Sequence, residues 1–247
     1  MAMVNKLSFF DAIDRATAGY DDGGIGTFSE KILHRTLKFY FEPDETKHEI
    51  EHHGAVADIL GDGGVIEIQT RSLGKLKPKL DRFLSDTMVT VVHPIIETKR
   101  ICRVDTETGE SLPPRKSAKR GRASDALCEI GAIRQYLPND NLTIILVFVD
   151  VIETRMLTGN KKVGRKKTQK LDCIPTSLNS TLVLQRREDY FALLPEDLPC
   201  EFSAVEFEKI TKMKGIDSHT ALMLLLKLGV LTRERVGRAY TYKINNI

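Results

Sequence analysis

The chain has 247 residues, of which 41% are hydrophobic and 29% are charged, and its formal net charge is +3. This length suits one large domain or two of ordinary size, and the apolar content is sufficient for a packed core. The sequence contains no run of 18 apolar residues and no secretory pattern near its start, so we expect neither a membrane span nor export. Four widely separated cysteines, without a C-x-x-C pair, predict reduced thiols in a cytoplasmic protein.

The hydrophobic periodicity predicts helices and strands in alternation along the first 195 residues, which is typical of an α/β fold. Helices are expected at 8–19, 28–41, 74–85, 123–136 and 188–194, and strands at 47–53, 88–93, 97–105, 142–152 and 181–184. A further strand at 64–69 precedes the helix 74–85 and the strand 88–93. This strand–helix–strand order predicts that the two strands pair in parallel.

A glycine-rich turn, Gly61–Gly64, lies between two β-branched runs and predicts a tight β-hairpin. If Leu60 faces Val65 across this turn, the register places Asp58 opposite Glu67. Opposed residues of an antiparallel pair have Cβ atoms about 5 Å apart. The sequence therefore predicts two carboxylates close together on one hairpin.

Two carboxylates at that distance repel each other unless a cation lies between them. A hard divalent ion such as Mg²⁺ prefers carboxylate oxygens, and it can activate a water and stabilise charge on a phosphoryl group. Gln69 shares the face of Glu67, because side chains alternate along a strand. Glu49 and Glu51 on the preceding strand are rival ligands if the register differs. The alternative is an ordinary hairpin without a functional site, whose acidic side chains are solvated.

The spacing Asp58, nine residues, Glu67, one residue, Gln69 resembles the signature of the PD-(D/E)xK nuclease superfamily, in an E-x-Q variant. The resemblance implies a restriction-endonuclease-like mixed sheet flanked by helices. It implies metal binding by Asp58, Glu67 and the backbone carbonyl of Ile68, with Gln69 orienting the attacking water and Glu30 contributing a further acid from the preceding helix. Gln69 occupies the position where the superfamily usually has lysine. A neutral glutamine cannot offer the transition state the positive charge of that lysine.

Basic residues predict contacts to a nucleic-acid backbone, since lysine and arginine bind phosphates and release counterions. Two clusters are free of acids and read as exposed loops: Arg115, Lys116, Lys119, Arg120 and Arg122 in the first, and Lys161, Lys162, Arg165, Lys166, Lys167 and Lys170 in the second. Arg71 lies between the acid pair and the start of the helix 74–85, and Lys75 lies in the first turn of that helix, so both are expected near a phosphate held at the acid pair. The alternative for each group is a solvated surface.

The C-terminal segment, 198–247, resembles a winged-helix (α+β) domain, separate from a nuclease-like domain over 1–195. Its second helix takes the recognition-helix position and would place Ser218, His219 and Thr220 at a DNA groove. Arg233, Arg235 and Arg238 would hold phosphates from the wing. Winged helices also serve as protein-binding or dimerising modules, and that alternative stays open.

These features together favour a metal-dependent DNA endonuclease that uses Mg²⁺ or Mn²⁺, binds double-stranded DNA, and cuts as a possible homodimer. The order of the two modules resembles an uncharacterised prokaryotic protein group. A non-catalytic DNA-binding regulator that retains a nuclease-like fold is the main alternative, which Gln69 favours, and a protein-interaction scaffold is the third. The adjacent His52 and His53 are expected on opposite faces of a strand, unable to share a metal.

Overall fold

A computed structural model describes residues 6–18, 29–105, 111–158, 167–237 and 239–245. The helices are α1 (Lys6–Thr17), α2 (Ser29–Phe41), α3 (Lys77–Phe83), α4 (Leu127–Ala132), α5 (Ala204–Thr211) and α6 (Ile216–Lys227). The strands are β1 (His48–His52), β2 (Ala55–Gly61), β3 (Gly64–Ile68), β4 (Val89–Asp105), β5 (Ser111–Lys116), β6 (Leu142–Thr158), β7 (Lys167–Leu184), β8 (Glu201–Ser203), β9 (Leu231–Val236) and β10 (Ala239–Ile244). Short 3-10 helices cover Glu45–Lys47, Leu73–Leu76, Ala123–Ala126 and Arg187–Leu193.

Seven strands form one mixed sheet in the order β1-β2-β3-β4-β6-β7, with β5 paired to β4. The first three strands pair antiparallel. The β3–β4 and β4–β6 pairs are parallel, and β7 returns antiparallel to β6. The predicted α/β class is confirmed, and so is the parallel strand–helix–strand unit that runs from β3 through α3 to β4.

Helices cover both faces of this sheet. On one face α1 and α2 pack on strand residues in a core that includes Leu37, Ile68 and Val151. On the other face α3 and α4 pack in a second core that includes Leu80, and Val65 belongs to this core. Residues 65 and 68 therefore lie on opposite faces of β3, as strand alternation requires.

Two predicted strands, 88–93 and 97–105, are one continuous strand of 17 residues, with a register shift between Ile96 and Thr98. Pro94 lies within this strand although proline cannot donate to a strand ladder. The recorded pairing of β4 with β3 ends at Val92. Pro94 lies beyond this point, so its missing N–H leaves no β3 carbonyl without a donor. The first basic cluster is likewise partly a strand, β5, although its residues are exposed as predicted.

The C-terminal strands and helices follow the order strand, helix, helix, strand, strand, and the three strands pair as β8-β10-β9. Among its described residues, this small unit has no core separate from that of the large sheet. Phe207 and Leu224 belong to the same buried cluster as Leu80 on the α3 side of the large sheet. Where α4 contacts α6, an added Cβ on Gly131 would lie 2.7 Å from Thr220 Cγ2, so a larger residue would displace the Thr220 side chain.

Within the described residues, the helices are too short or too polar to cross a lipid bilayer.

Candidate metal and catalytic site

The hairpin around the glycine-rich turn has the predicted register, with Leu60 opposite Val65. The recorded β2–β3 pairs end at Ile59 and Ile66, and beyond them the Asp58 carboxylate takes the position of a ladder acceptor. The backbone amide of Ile68 donates to Asp58 Oδ2 over 2.8 Å. The sheet therefore opens between β2 and β3, and an acidic side chain lies in the gap.

Asp58 is held in this gap from the α2 side of the sheet. His34 Nε2 lies 3.2 Å from Asp58 Oδ2, and the side chain of Asp58 is 19% exposed. Burial raises the pKa of Asp58, but the hydrogen bond and charge of His34 and the amide of Ile68 outweigh it, so the pKa lies below its usual value. Asp58 is thus an anion with a route to solvent.

Glu67 lies beside Asp58 and is 1% exposed. Its Oε1 accepts a 3.3 Å hydrogen bond from the Asp58 backbone amide. Lys79 of α3 donates to both carboxylate oxygens, at 2.9 and 2.8 Å. Burial, followed by repulsion from Asp58, raises the pKa of Glu67 to about 7 although Lys79 opposes this shift. The structure therefore brings both predicted acids together and adds a cation from a neighbouring helix.

The other two predicted residues flank this pair. The amide and carbonyl of a strand residue point to the same side, so the Ile68 carbonyl faces the gap that holds Asp58. Gln69 donates its side-chain amide to the Ser72 carbonyl over 2.7 Å. Its backbone carbonyl accepts from His93 Nδ1 at 2.7 Å, and burial lowers the pKa of this histidine. Gln69 is thus fixed at the start of the segment leading to α3.

A pocket of about 630 Å³ adjoins the acid pair on the α2 side. His34, which contacts Asp58, lines this pocket together with Arg35, Lys38, Glu45 and Glu49. Lys38 Nζ lies 2.9 Å from Glu49 Oε1, so this rival acid is engaged elsewhere. The two cationic side chains of the pocket wall are thus matched in number by two acidic ones.

Cationic side chains also cover the far halves of β4, β6 and β7. Glu153 is buried there and forms ion pairs with Lys99, Arg155 and Lys170. Burial raises the pKa of Glu153, but these partners hold it below its usual value. Val151 packs in the core beneath α1 and α2. Glu153 and Arg155 lie two and four residues further along β6, so their side chains are on the same face as Val151. We call this face, with Arg103 and Arg115 along its edge, the basic arm; it lies on the same side of the sheet as the pocket. Lys116 is paired with Arg100 and lies on the opposite face.

The profile of a domain of unknown function, DUF8091, matches residues 31–185. The chain belongs to this family. The matched DUF8091 region contains both acids, Gln69, Lys79 and the described part of the basic arm, and it ends before the C-terminal unit. An uncharacterized protein of Treponema pallidum (strain Nichols) is 29% identical over 231 residues, which is 89% of this chain and 87% of that protein. No solved structure matches the chain.

The remaining predicted residues of this DUF8091 protein fall into three groups. Arg71, Lys75, Lys119, Arg120, Arg122, Arg233 and Arg235 are exposed, and Arg120 pairs with Glu97. Ser218 is 1% exposed and Thr220 packs against Gly131, so neither can reach a DNA groove with α6 in place, whereas His219 is exposed. Lys166 and Arg238 lie outside the described residues, as do the side chains of Glu30 and Lys167.

Sequence reasoning missed Lys79 as a site residue. The available signal was the strand–helix–strand unit, because a helix that follows β3 packs back over β3 and brings its first turn above Glu67. The contact of His34 with Asp58 was also missed, and it depends on how α2 packs on the sheet, which no residue pattern gives.

The raised pKa of Glu67 predicts a pH dependence of stability. The folded protein holds a proton that the unfolded chain, with a pKa of 4.5, has released. The stabilisation from this group is therefore complete below about pH 4.5 and is lost as the pH rises through about 7. In chelator-treated buffer, Glu67→Gln should gain on the order of 2 to 3 kcal/mol relative to wild type between about pH 4.5 and pH 8.

Denaturant unfolding at several pH values measures this difference. Glu49→Gln is the matched control, because Lys38 holds the pKa of Glu49 below its usual value and its pH dependence has the opposite sign. A difference between wild type and Glu67→Gln that does not change with pH would show that Glu67 titrates normally.

Proposed function

We propose that this chain is a metal-dependent DNA endonuclease that hydrolyses phosphodiester bonds at Asp58 and Glu67. The observation that carries the proposal is the gap between β2 and β3, where one ionised acid and one buried acid meet under the ammonium group of Lys79. Buried carboxylates with separated pKa values and a cationic partner are typical of catalytic sites.

The donor set fits a hard divalent cation. Asp58, Glu67 and the Ile68 carbonyl offer only oxygen atoms, which Mg²⁺ and Mn²⁺ prefer over nitrogen or sulfur. Such an ion, when bound, would activate a water and offset negative charge on the phosphate. The repulsion that raises the pKa of Glu67 is the interaction that a cation would remove. A bound divalent cation would therefore relieve the repulsion between these two carboxylates.

Lys79 is our candidate for the cation that Gln69 cannot provide. Its ammonium group reaches Glu67 from α3 and remains 30% exposed, so it can turn toward a phosphate oxygen. Gln69 would orient the attacking water after releasing Ser72, and His34 would keep Asp58 ionised and in position. The site then contains the acid pair and lysine of the resembled superfamily, with the lysine supplied from a different element.

The distribution of positive charge supports a long polyanionic substrate. Glu67 is paired with Val91 of β4, and Arg103 of the basic arm lies twelve residues further along the same strand. At about 3.3 Å per residue this is roughly 40 Å, the length of about twelve base pairs of duplex. The pocket and the basic arm share one side of the sheet, so a single duplex could contact both. Arg71 and Lys75 lie exposed near the acid pair.

Two finer proposals accompany this function. The large sheet is proposed to be restriction-endonuclease-like, on the basis of the opened acidic hairpin. The C-terminal unit is proposed to be a winged helix that contacts DNA through His219, Arg233 and Arg235, supported by its strand order. A homodimer would allow both strands to be cut.

Two contacts favour the alternative, a non-catalytic DNA-binding regulator. The Gln69 amide is already bound to the Ser72 carbonyl, and Glu67 is fully engaged by Lys79, an arrangement that could serve structure alone. This alternative retains the basic arm and its affinity for DNA but requires no metal.

Plasmid cleavage with Mg²⁺ or Mn²⁺ separates the two functions. Asp58→Ala and Glu67→Ala should abolish cleavage, because each removes a metal ligand. Lys79→Met should slow it by about 10²- to 10³-fold, the usual cost of losing one group that stabilises transition-state charge. Lys77→Met, on the same helix, is the control and should cleave at the wild-type rate.

The double variant Gln69→Lys/Lys79→Met adds a positive test, because a lysine at the superfamily's usual position should restore part of the lost rate. Equal nicking by wild type, Asp58→Ala and Glu67→Ala would indicate a contaminating nuclease and contradict the enzymatic proposal.

DNA binding should depend steeply on salt, because phosphate contacts release counterions. Arg103→Gln/Arg115→Gln, in β4 and β5, should make the plot of log affinity against log salt shallower by about 2, or about 0.9 per lost phosphate contact. Lys209→Gln/Lys212→Gln removes two exposed charges from the C-terminal unit and should leave the slope unchanged. Fluorescence anisotropy with a labelled duplex measures both. Equal slopes for the two double variants would contradict the basic arm as a DNA surface.

A further inference from the structure

A second cluster of metal-binding side chains lies at the turn between β1 and β2, outside the acid pair. His53 has a left-handed backbone, with φ of 48°, and Gly54 follows at 70°. Because β1 ends at His52, the turn directs both imidazoles to the same side, and their ring centres are 4.0 Å apart. The expectation that these two histidines point to opposite faces is therefore wrong.

Asp86, in the connection from α3 to β4, completes the cluster. Its Oδ1 lies 3.1 Å from His53 Nε2. His52 Nε2 lies 2.9 Å from Thr87 Oγ1, and Thr87 Oγ1 in turn donates to Asp86 Oδ1 over 2.9 Å. One ligand atom from each of the two histidines and from Asp86 lies within 4.8 Å of the others. Three potential ligands from two segments of the chain thus converge on one point.

We propose that His52, His53 and Asp86 form a binding site for a transition-metal ion of the zinc class. Two imidazole nitrogens and one carboxylate oxygen suit Zn²⁺, Ni²⁺ or Cu²⁺, whereas Mg²⁺ prefers oxygen ligands alone. Ligands bound to one ion at about 2.1 Å lie about 3.4 Å apart in a tetrahedron, so small side-chain rotations would close the cluster around it.

The surroundings hold the Asp86 carboxylate in place. Thr87 Oγ1 donates to its Oδ1, and His53 Nε2 lies 3.1 Å from the same oxygen. His53 and Asp86 are exposed, so an ion can enter and water can complete its coordination. Arg82 already donates to the Gly54 carbonyl, which ties the same turn to α3.

A bound ion would join the β1–β2 turn to the end of α3, the helix that carries Lys79. This site shares no residue with the acid pair, and its test does not depend on nuclease activity. The two sites differ in ligand chemistry, so one variant of each distinguishes them.

Isothermal titration of tag-free protein with Zn²⁺ tests the proposal, and absorption of bound Co²⁺ reports nitrogen coordination. One equivalent should bind to wild type, and His53→Ala and Asp86→Ala should each weaken binding at least about tenfold, since loss of even an outer-sphere partner has that effect. His219→Ala, which removes an exposed histidine elsewhere, should bind like wild type, and so should Asp58→Asn.

Zn²⁺ should also raise the unfolding temperature of wild type but not of His53→Ala. Absence of stoichiometric binding to wild type, or equal affinity in His53→Ala and His219→Ala, would overturn the site and identify the cluster as an ion pair of His53 with Asp86.

Discussion

The repulsion between Asp58 and Glu67 is the interaction on which the proposed site depends. Both acids lie where the sheet opens between β2 and β3, and Glu67 is removed from water. The protein offsets the cost of this arrangement with His34 on one side and Lys79 on the other. Two adjacent acids, each with its own partner, form an unusual site for stability alone, because buried ion pairs contribute little net stabilisation.

The wider fold positions these partners. The α2 helix brings His34 and the pocket to the side of the sheet that also carries the basic arm. The α3 helix brings Lys79 over Glu67 from the opposite side, and the C-terminal unit packs behind it in the same core. Side chains from both faces of the sheet thus meet the acid pair at one opening.

Much of this was predictable from local patterns. The glycine turn fixed the register of the hairpin, so the meeting of Asp58 and Glu67 followed from counting residues. The role of Lys79 did not follow, because it depends on how a helix packs over a strand. Nor did the burial of Ser218, since the apolar surface of α6 packs against α4 of the large domain, a contact between segments distant in sequence. The length of β4 was missed because the effect of Pro94 depends on where β3 ends.

The central claim is that Asp58 and Glu67 share a divalent cation. A crystal soaked in Mn²⁺ tests it most directly, by anomalous scattering recorded at the manganese edge. A single anomalous peak within coordination distance of both carboxylates and the Ile68 carbonyl is expected, with Lys79 displaced from Glu67. No peak at this position, with Lys79 still bound to both oxygens of Glu67 at saturating Mn²⁺, would contradict the account.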